Sequence, residues 1–462
     1  MSLEARAGVD VPLFRLIRRL FMKHPVVVGS SFAGLLISHR LARAGIYHLL
    51  VGKRPDFHSL RIGESLDFAG TWLLKENFGH LSRFFHRKDQ VFALGARGQV
   101  LRFDTNSFLA DRIAHLLLRG GIGLRNLDFR LIHLDRQGFD GALYDEVIAN
   151  PHVRRIEADV EAVTYDHHSD RIVELTLHGG ARVEPSVVFD ATFHRRLIAE
   201  AAGVRREDLG GPRVAVFTHL YAVEKNREPA NEWEVSTSVL NFGRSVLPPG
   251  VEGQGWCIPF RNHVSIGLSI LPPNASVSPE ELVGQLLEAF KSRGINVVER
   301  FPQKGPIVSV PHQYFTHARA AGANWLLAGG ACTQIHFFSS TGVTTALGAA
   351  EIAVEFLKNP KSAQRYESFL RGLVGGHPIF DEIEERGKNG EISLPLLRRW
   401  VRSVFLRTWS CFTISRVPRR RMFANAIYRV FASQLYPIIG RHVTSYYSLT
   451  ASPVGTGSQP QV

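Results

Sequence analysis

The feature that most narrows what this chain can fold into is a short run near its start, Val26-Val27-Val28-Gly29-Ser30-Ser31-Phe32-Ala33-Gly34. Three consecutive β-branched apolar residues suit a buried strand. From Ser31 to Ala44 apolar residues recur at helical spacing, ending at Gly45, a residue suited to a left-handed helix cap. Tyr47 to Val51 reads as the next parallel strand, so the segment predicts a βαβ unit. In a dinucleotide-binding turn of this type one glycine makes the turn, a second lets a diphosphate approach the backbone, and a third lets helix and strand pack closely. Gly29 and Gly34 supply the first and third. Ser31 holds the middle place, where its side chain crowds a phosphate but its hydroxyl can also donate to one. About 20 residues further on, an acidic residue usually receives the adenosine ribose; in Leu50-Val51-Gly52-Lys53-Arg54 that place is Gly52.

The rest of the chain fits around this unit. Ile172–Leu177, the Gly179-Gly180 turn, Ala181–Val183 and Val187–Asp190 read as hairpin strands leading to a buried strand. Arg213 to about Leu271 alternates apolar and polar residues between turns such as Pro248-Pro249-Gly250, which predicts an antiparallel sheet fit to floor a substrate cavity. Ser278, Pro279 and Glu281 make a capping box with proline at the first helical position, opening a helix to about Arg293. Trp325-Leu326-Leu327 reads as a returning buried strand, followed by a glycine-rich loop and a helix from about Gly342 to Leu357.

Charge separates the ends from the body. The net charge is +13, yet no acidic residue follows Glu391, and ten arginines lie between Arg398 and Arg441. They alternate with Trp400, Phe405, Trp409, Phe412, Phe423 and Phe431, a mixture that suits an anionic membrane surface better than a nucleic-acid groove. Leu13, Phe14, Leu16, Ile17, Leu20 and Phe21 repeat this on a smaller scale beside four basic residues. No clean run of about 18 apolar residues predicts a spanning helix. Three scattered cysteines indicate neither a disulfide framework nor a cysteine-based zinc site, and fit a reducing compartment. The expectation is a cytoplasmic protein with peripheral contact at the inner face of a membrane and no nucleic-acid partner.

The run from Val26 through Arg61-Ile62-Gly63-Glu64-Ser65-Leu66 resembles the start of the flavin-dependent halogenases and their aromatic-hydroxylase and geranylgeranyl-reductase relatives. Further pieces follow in that family's order. Asp135-Arg136-Gln137-Gly138 resembles an arginine-containing helix start near the flavin. Val188-Phe189-Asp190-Ala191-Thr192 resembles a strand ending in Asp-Ala-Ser-Gly, and Gly255-Trp256-Cys257-Ile258-Pro259 resembles the second half of the halogenase W-x-W-x-I-P motif. Gly329-Gly330-Ala331-Cys332 stands in place of Gly-Asp-Ala-Ala, with Gly330 where an aspartate meets the ribityl chain. The resemblance spans roughly residues 26 to 357.

It implies an α/β fold: a Rossmann-like FAD-binding domain, an interleaved antiparallel-sheet substrate domain and a basic, helical C-terminal region. The expected divisions are a basic amphipathic segment at 1–23, FAD-binding parts at 24–210 and 321–372, the substrate sheet at 211–320, and the basic region with a disordered tail at 373–462. It implies FAD as cofactor, with reduced FADH2 supplied by a separate flavin reductase, and an aromatic or lipophilic small-molecule substrate. Gly29, Ser31, Gly34, Arg136, Gly329, Gly330, Thr341 and Gly342 are the cofactor-binding candidates. Lys88 is the candidate for the lysine that relays an electrophile in the halogenases, although a shifted alignment puts Ala93 there; the plain reading of a lysine beside Arg87 is a solvated surface charge. Glu64 and His336 are acid-base candidates, with His194 behind them. Two alternatives stay open: a reductase or non-redox cyclase on an isoprenoid or polyene chain, and a homologue that binds a lipid-like ligand or partner enzyme without flavin chemistry.

Overall fold

The computed structural model describes residues 23–95, 100–104, 130–225, 227–242, 251–272, 277–336 and 341–388, with short stretches at 395–396, 399, 403, 413–415, 421–422 and 447–450. The N-terminal amphipathic segment and nearly all of the basic C-terminal run therefore lie outside the described residues. In chain order the main elements begin β1 (His24–Val28), α1 (Phe32–Arg43), β2 (His48–Val51), α2 (Phe68–Phe78), β3 (Gln90–Leu94), β4 (Val100–Asp104), α3 (Arg136–Ile148), β5 (Val153–Ile156) and β6 (Pro185–Asp190). They continue β7 (Arg206–Tyr221), β8 (Ser236–Phe242), β9 (Gly253–Pro259), β10 (His263–Ile270), α4 (Pro279–Lys291), β11 (Val308–His317), β12 (Trp325–Leu327), α5 (Thr341–Lys358), α6 (Ala363–Val374) and α7 (His377–Lys388).

The first sheet is parallel, in the order β12-β6-β1-β2-β5. Its central strands are apolar throughout because helices cover them; Val26, Val27, Leu50 and Val188 are fully buried. The βαβ unit forms as the glycines require. Gly29 has φ +105° and donates to Val51 O at 2.8 Å. A Cβ on Gly34 would lie 1.8 Å from Gly29 O, so α1 can start against β1 only with glycine there. Gly45 closes the helix at φ +71°.

The second sheet is larger. Its path runs from residues 333–334 through β11, β7, β10, β9, β8, β3 and β4 to residues 447–450. Every pairing between named strands is antiparallel except β8 with β3, which is parallel. The alternation between Arg213 and Leu271 thus accounts for the middle of this sheet, and β3, β4 and β11 join it from outside that interval. One face packs Val216, Ile266 and Leu268 on Leu282, Leu286 and Phe290 of α4. That helix starts as its capping box requires, with Ser278 accepting from Glu281 N at 3.1 Å. The opposite face carries Ala215, Phe217, Trp256 and Ile258, a small apolar patch flanked by polar side chains. Among the described residues no helix is long and apolar enough to cross a membrane.

Candidate functional site

Four pieces distant in sequence meet at the start of α1. Gly63, at φ +98°, is so close to Arg136 and Val343 that a Cβ on it would lie 2.9 Å from Arg136 Nη1 and 3.3 Å from a Val343 methyl. Arg136 donates to Ile62 O at 3.0 Å, pairs with both oxygens of Asp140 at 3.0 and 2.9 Å, and stacks its guanidinium 4.2 Å from the Phe32 ring centre. Its charge is therefore balanced within the fold, and it fastens the Gly63 loop to the first turn of α1. Thr341 is buried at the start of α5, whereas a Cβ on the adjacent Gly342 would meet nothing within 4 Å. Residues 337–340, which lead into this helix start, lie outside the described residues.

The dinucleotide turn itself is in order at its glycines and altered around them. Ser31 is the N-cap of α1 but its side chain makes no capping hydrogen bond, so the first amides of α1 keep their donors for another acceptor. The neighbouring Ser30 hydroxyl donates to Lys53 O across Gly52. A Cβ on Gly52 would sit 3.0 Å from Ser30 N and Oγ, so the space of a ribose-binding carboxylate is taken by this serine. Gly329, φ +56°, abuts Ala33. At Gly330 a Cβ would lie 2.0 Å from the ring of Phe193. Phe193 follows Asp190-Ala191-Thr192, where the resembled motif has glycine, and it keeps the left-handed conformation that glycine would take, at φ +53°. That conformation costs a non-glycine residue about 1 kcal/mol or more. Buried Asp190 holds the loop by accepting from Thr192 N, Thr192 Oγ1 and Ile198 N at 2.9, 2.6 and 2.8 Å.

Glu64 leaves this loop on the side of the antiparallel sheet. The 64–66 backbone is hydrogen-bonded to residues 132–134, which pair in turn with residues 85–87. Ser65 Oγ lies 2.8 Å from Thr237 Oγ1, and Glu64 Oε1 lies 3.1 Å from His219 Nε2. Thr237 and His219 share one cross-strand row through β8, β9, β10 and β7, so the loop docks along it. His263 stacks on His219 at 4.6 Å and on Phe260 at 4.4 Å. Burial holds the pKa of His263 and His133 well below the ordinary value, leaving both imidazoles neutral. Both nitrogens of His133 and of His219 are buried without hydrogen-bond partners, as are both polar atoms of Gln254 on the same sheet.

Lys88 lies behind this pocket. It is 6 % exposed and donates to Leu66 O at 2.8 Å, which overturns the reading of a solvated surface charge. Its position in the tight turn between residues 85–87 and β3 sends its side chain inward, while Arg87 beside it pairs with Asp89 outside. Desolvation lowers its pKa to about 7 against an opposing pull from Asp67, so a neutral amine is accessible near neutrality. Ala93 sits on β3 in the row of Val239 and Trp256.

His336 lies elsewhere. It is fully buried and shares a hydrogen bond with Glu384 Oε2 at 2.9 Å; Arg213 donates to Glu384 Oε1 at 2.9 Å. Burial pushes the Glu384 carboxyl up, but the His336 hydrogen bond and the Arg213 guanidinium outweigh it and hold it down at about 2. Arg213 and His219 are six residues apart on one strand, hence about 20 Å. The structure therefore brings Glu64 and Lys88 to one end of the sheet and His336 to the other. His194 follows Phe193 on the strained loop and stacks with it. Sequence reasoning passed over His219, His263 and Gln254; the inward parity of their strands was the available signal.

FAD, implied by the fold, fits the turn at Gly29–Gly34 and the open approach at Gly342. At Gly330 an aromatic ring replaces the expected carboxylate. The family described as tryptophan halogenase matches residues 77–211. The solved flavin-dependent brominase Bmp2 is 17 % identical, with a TM-score of 0.63 over 89 % of this chain and 100 % of that one. Halogenase PltM, solved with phloroglucinol and FAD, is 16 % identical, with a TM-score of 0.65 over 92 % and 91 %. A flavoprotein/dehydrogenase from Cytophaga hutchinsonii is 17 % identical, with a TM-score of 0.60 over 92 % and 99 %. No curated protein sequence matches. The fold is that of the flavin-dependent halogenases, a Rossmann-like domain joined to an antiparallel sheet.

Proposed function

We propose that the chain is an FAD-dependent oxidoreductase of the monooxygenase or halogenase type, acting on an aromatic or lipophilic substrate held against the antiparallel sheet beside the docked Gly63–Ser65 loop. The observation that carries this reading is the convergence of the Gly29 turn, the Gly63–Glu64 loop and the open start of α5 at Gly342. On this reading the first-turn amides of α1 and the Ser31 hydroxyl hold the diphosphate, with Gly329 and the start of α5 along the rest of the cofactor. Bound FAD supplies electron transfer and, once reduced, oxygen activation. The chain's own contribution is to seat the substrate against Trp256, Phe217 and Val239, to exclude water with that apolar patch, and to offer a proton donor or acceptor at Lys88 Nζ and at Glu64.

The test is the absorption spectrum of the purified protein together with FAD titration followed by fluorescence quenching. Saturable quenching and a flavin spectrum altered by protein are expected. Colourless protein with no saturation at high micromolar FAD would sink the proposal.

A second reading is a homologue that binds a lipid-like ligand or a partner enzyme and has lost the flavin. The Phe193 ring against Gly330 favours it. Phe193→Gly with Gly330→Asp separates the two: under the second reading FAD binding emerges only in the double variant.

A further inference from the structure

Among the described residues three groups bring histidine and carboxylate ligand atoms within 4.8 Å of one another: His39 with His80 and Glu146, His336 with Asp381 and Glu384, and Glu64 with His219 and His263. In the first, Glu146 gives one oxygen to each ring, 3.0 Å from His39 Nε2 and 2.8 Å from His80 Nε2, both in hydrogen-bond geometry. In the second, Glu384 is divided between His336 and the Arg213 guanidinium, whose charge would repel an ion. In both groups the carboxylate oxygens are already taken by hydrogen bonds.

The third is not. His219 Nε2 lies 3.1 Å from Glu64 Oε1, yet the two are not aligned as donor and acceptor, and neither nitrogen of His219 has a partner at 1 % exposure. Two donors bound to one tetrahedral metal ion, each about 2.1 Å from it, lie about 3.4 Å apart and point at the ion instead of at each other. The 3.1 Å separation and the misalignment are compatible with such a pair. His263 brings the third donor; its ring centre lies 4.6 Å from that of His219 and 4.4 Å from that of Phe260. It is half-buried, which leaves the group a side from which an ion can enter.

We propose that Glu64, His219 and His263 form a binding site for a divalent transition-metal ion on the substrate-facing side of the antiparallel sheet. Two imidazoles and one carboxylate favour ions such as Zn2+, Co2+ or Fe2+ over Mg2+ or Ca2+. Three protein donors leave positions open for water or for a substrate oxygen, a phenolate, enolate or carboxylate. The site would then orient an oxygen-bearing substrate by direct ligation. Metal binding itself does not depend on the flavin reading, since it is measured on flavin-free protein.

The experiment uses the full chain, stripped with chelator and dialysed, then titrated with Co2+ while its visible absorption is followed. Expected is saturation at one ion per chain, displaced by Zn2+, with binding lost in His219→Ala and in Glu64→Gln and retained in His80→Ala. Far-UV circular dichroism checks that each variant is folded. Independently of any variant at the site, pulsed EPR of Cu2+-loaded His80→Ala protein is expected to show imidazole nitrogen couplings. No saturable Co2+ binding in the wild type, binding unchanged in folded His219→Ala, binding lost in His80→Ala, or absent nitrogen couplings would each overturn the site and leave Glu64–His219 as an ion pair.

Discussion

One face of the antiparallel sheet ends in two polar clusters of opposite character. At Arg213, Glu384 answers both the guanidinium and His336, and little is left unsatisfied on the carboxylate. About 20 Å along the same strand, His219 has two buried nitrogens without hydrogen-bond partners. Buried polar groups are normally paired because leaving one unpaired costs about 1 to 3 kcal/mol. The Glu384 carboxylate, paired on both oxygens, fastens α7 to β7 and to the loop before α5, although Arg213 Nη1 and His312 Nδ1 beside it have no hydrogen-bond partner. At His219 neither ring nitrogen is hydrogen-bonded, and on the metal-site proposal an ion completes that end by coordination.

The contrast can be broken most forcefully at its satisfied end. Glu384→Ala leaves Arg213 and His336 buried without a counter-charge and should cost about 3 to 5 kcal/mol, read as a lowered urea midpoint. The carboxyl is held near 2 in the folded chain. Its stabilisation is therefore complete above the ordinary carboxylate range, near 4.5, and is lost as pH falls toward about 2. Glu384→Gln should flatten the acid limb of the stability curve over that window. An unchanged limb would mean that the pair contributes nothing.

Lys88 tests the Glu64 end of the sheet. Its amine is lowered to about 7 from the ordinary 10.5, so between those values the unfolded chain binds more protons than the folded one. Stability relative to Lys88→Met should then rise with pH across that window, by up to about 1.4 kcal/mol per unit. A flat difference between wild type and variant would show that the amine is solvated. The smallest effect is expected at Gln254. Gln254→Met removes two unpaired buried atoms at nearly constant volume and should raise the unfolding free energy of ligand-free protein by about 1 kcal/mol, read as a higher urea midpoint. Destabilisation instead would show that the Gln254 side chain is paired in the folded chain.

The two clusters also divide what the sequence could reveal. Local sterics wrote the βαβ unit plainly, since Gly34 is demanded by contact with Gly29 O and Gly29 by its own positive φ, and the Ser278 cap is equally local. The Gly63-Glu64-Ser65 loop was legible through family resemblance, but its partners were not. Thr237 and His219 are over 150 residues away, and strand parity says only that they face inward. The joining of β3 to β8, a parallel pairing across a long connection, leaves no local mark. Lys88 was misread because Arg87 and Asp89 look like a surface turn, and only the short strands on either side set which of the three points inward.

The packing of Phe193 on Gly330 has a further consequence, for the order in which substitutions can accumulate. Gly330→Asp alone would push a side chain into a ring already within 2.0 Å of its Cβ. Phe193→Gly alone opens a gap but relieves a strained backbone. Replacement of the pair by glycine at 193 and aspartate at 330 is therefore open by one order of steps and blocked by the other. The two positions are coupled: while an aromatic ring stands at 193, position 330 has room for glycine alone.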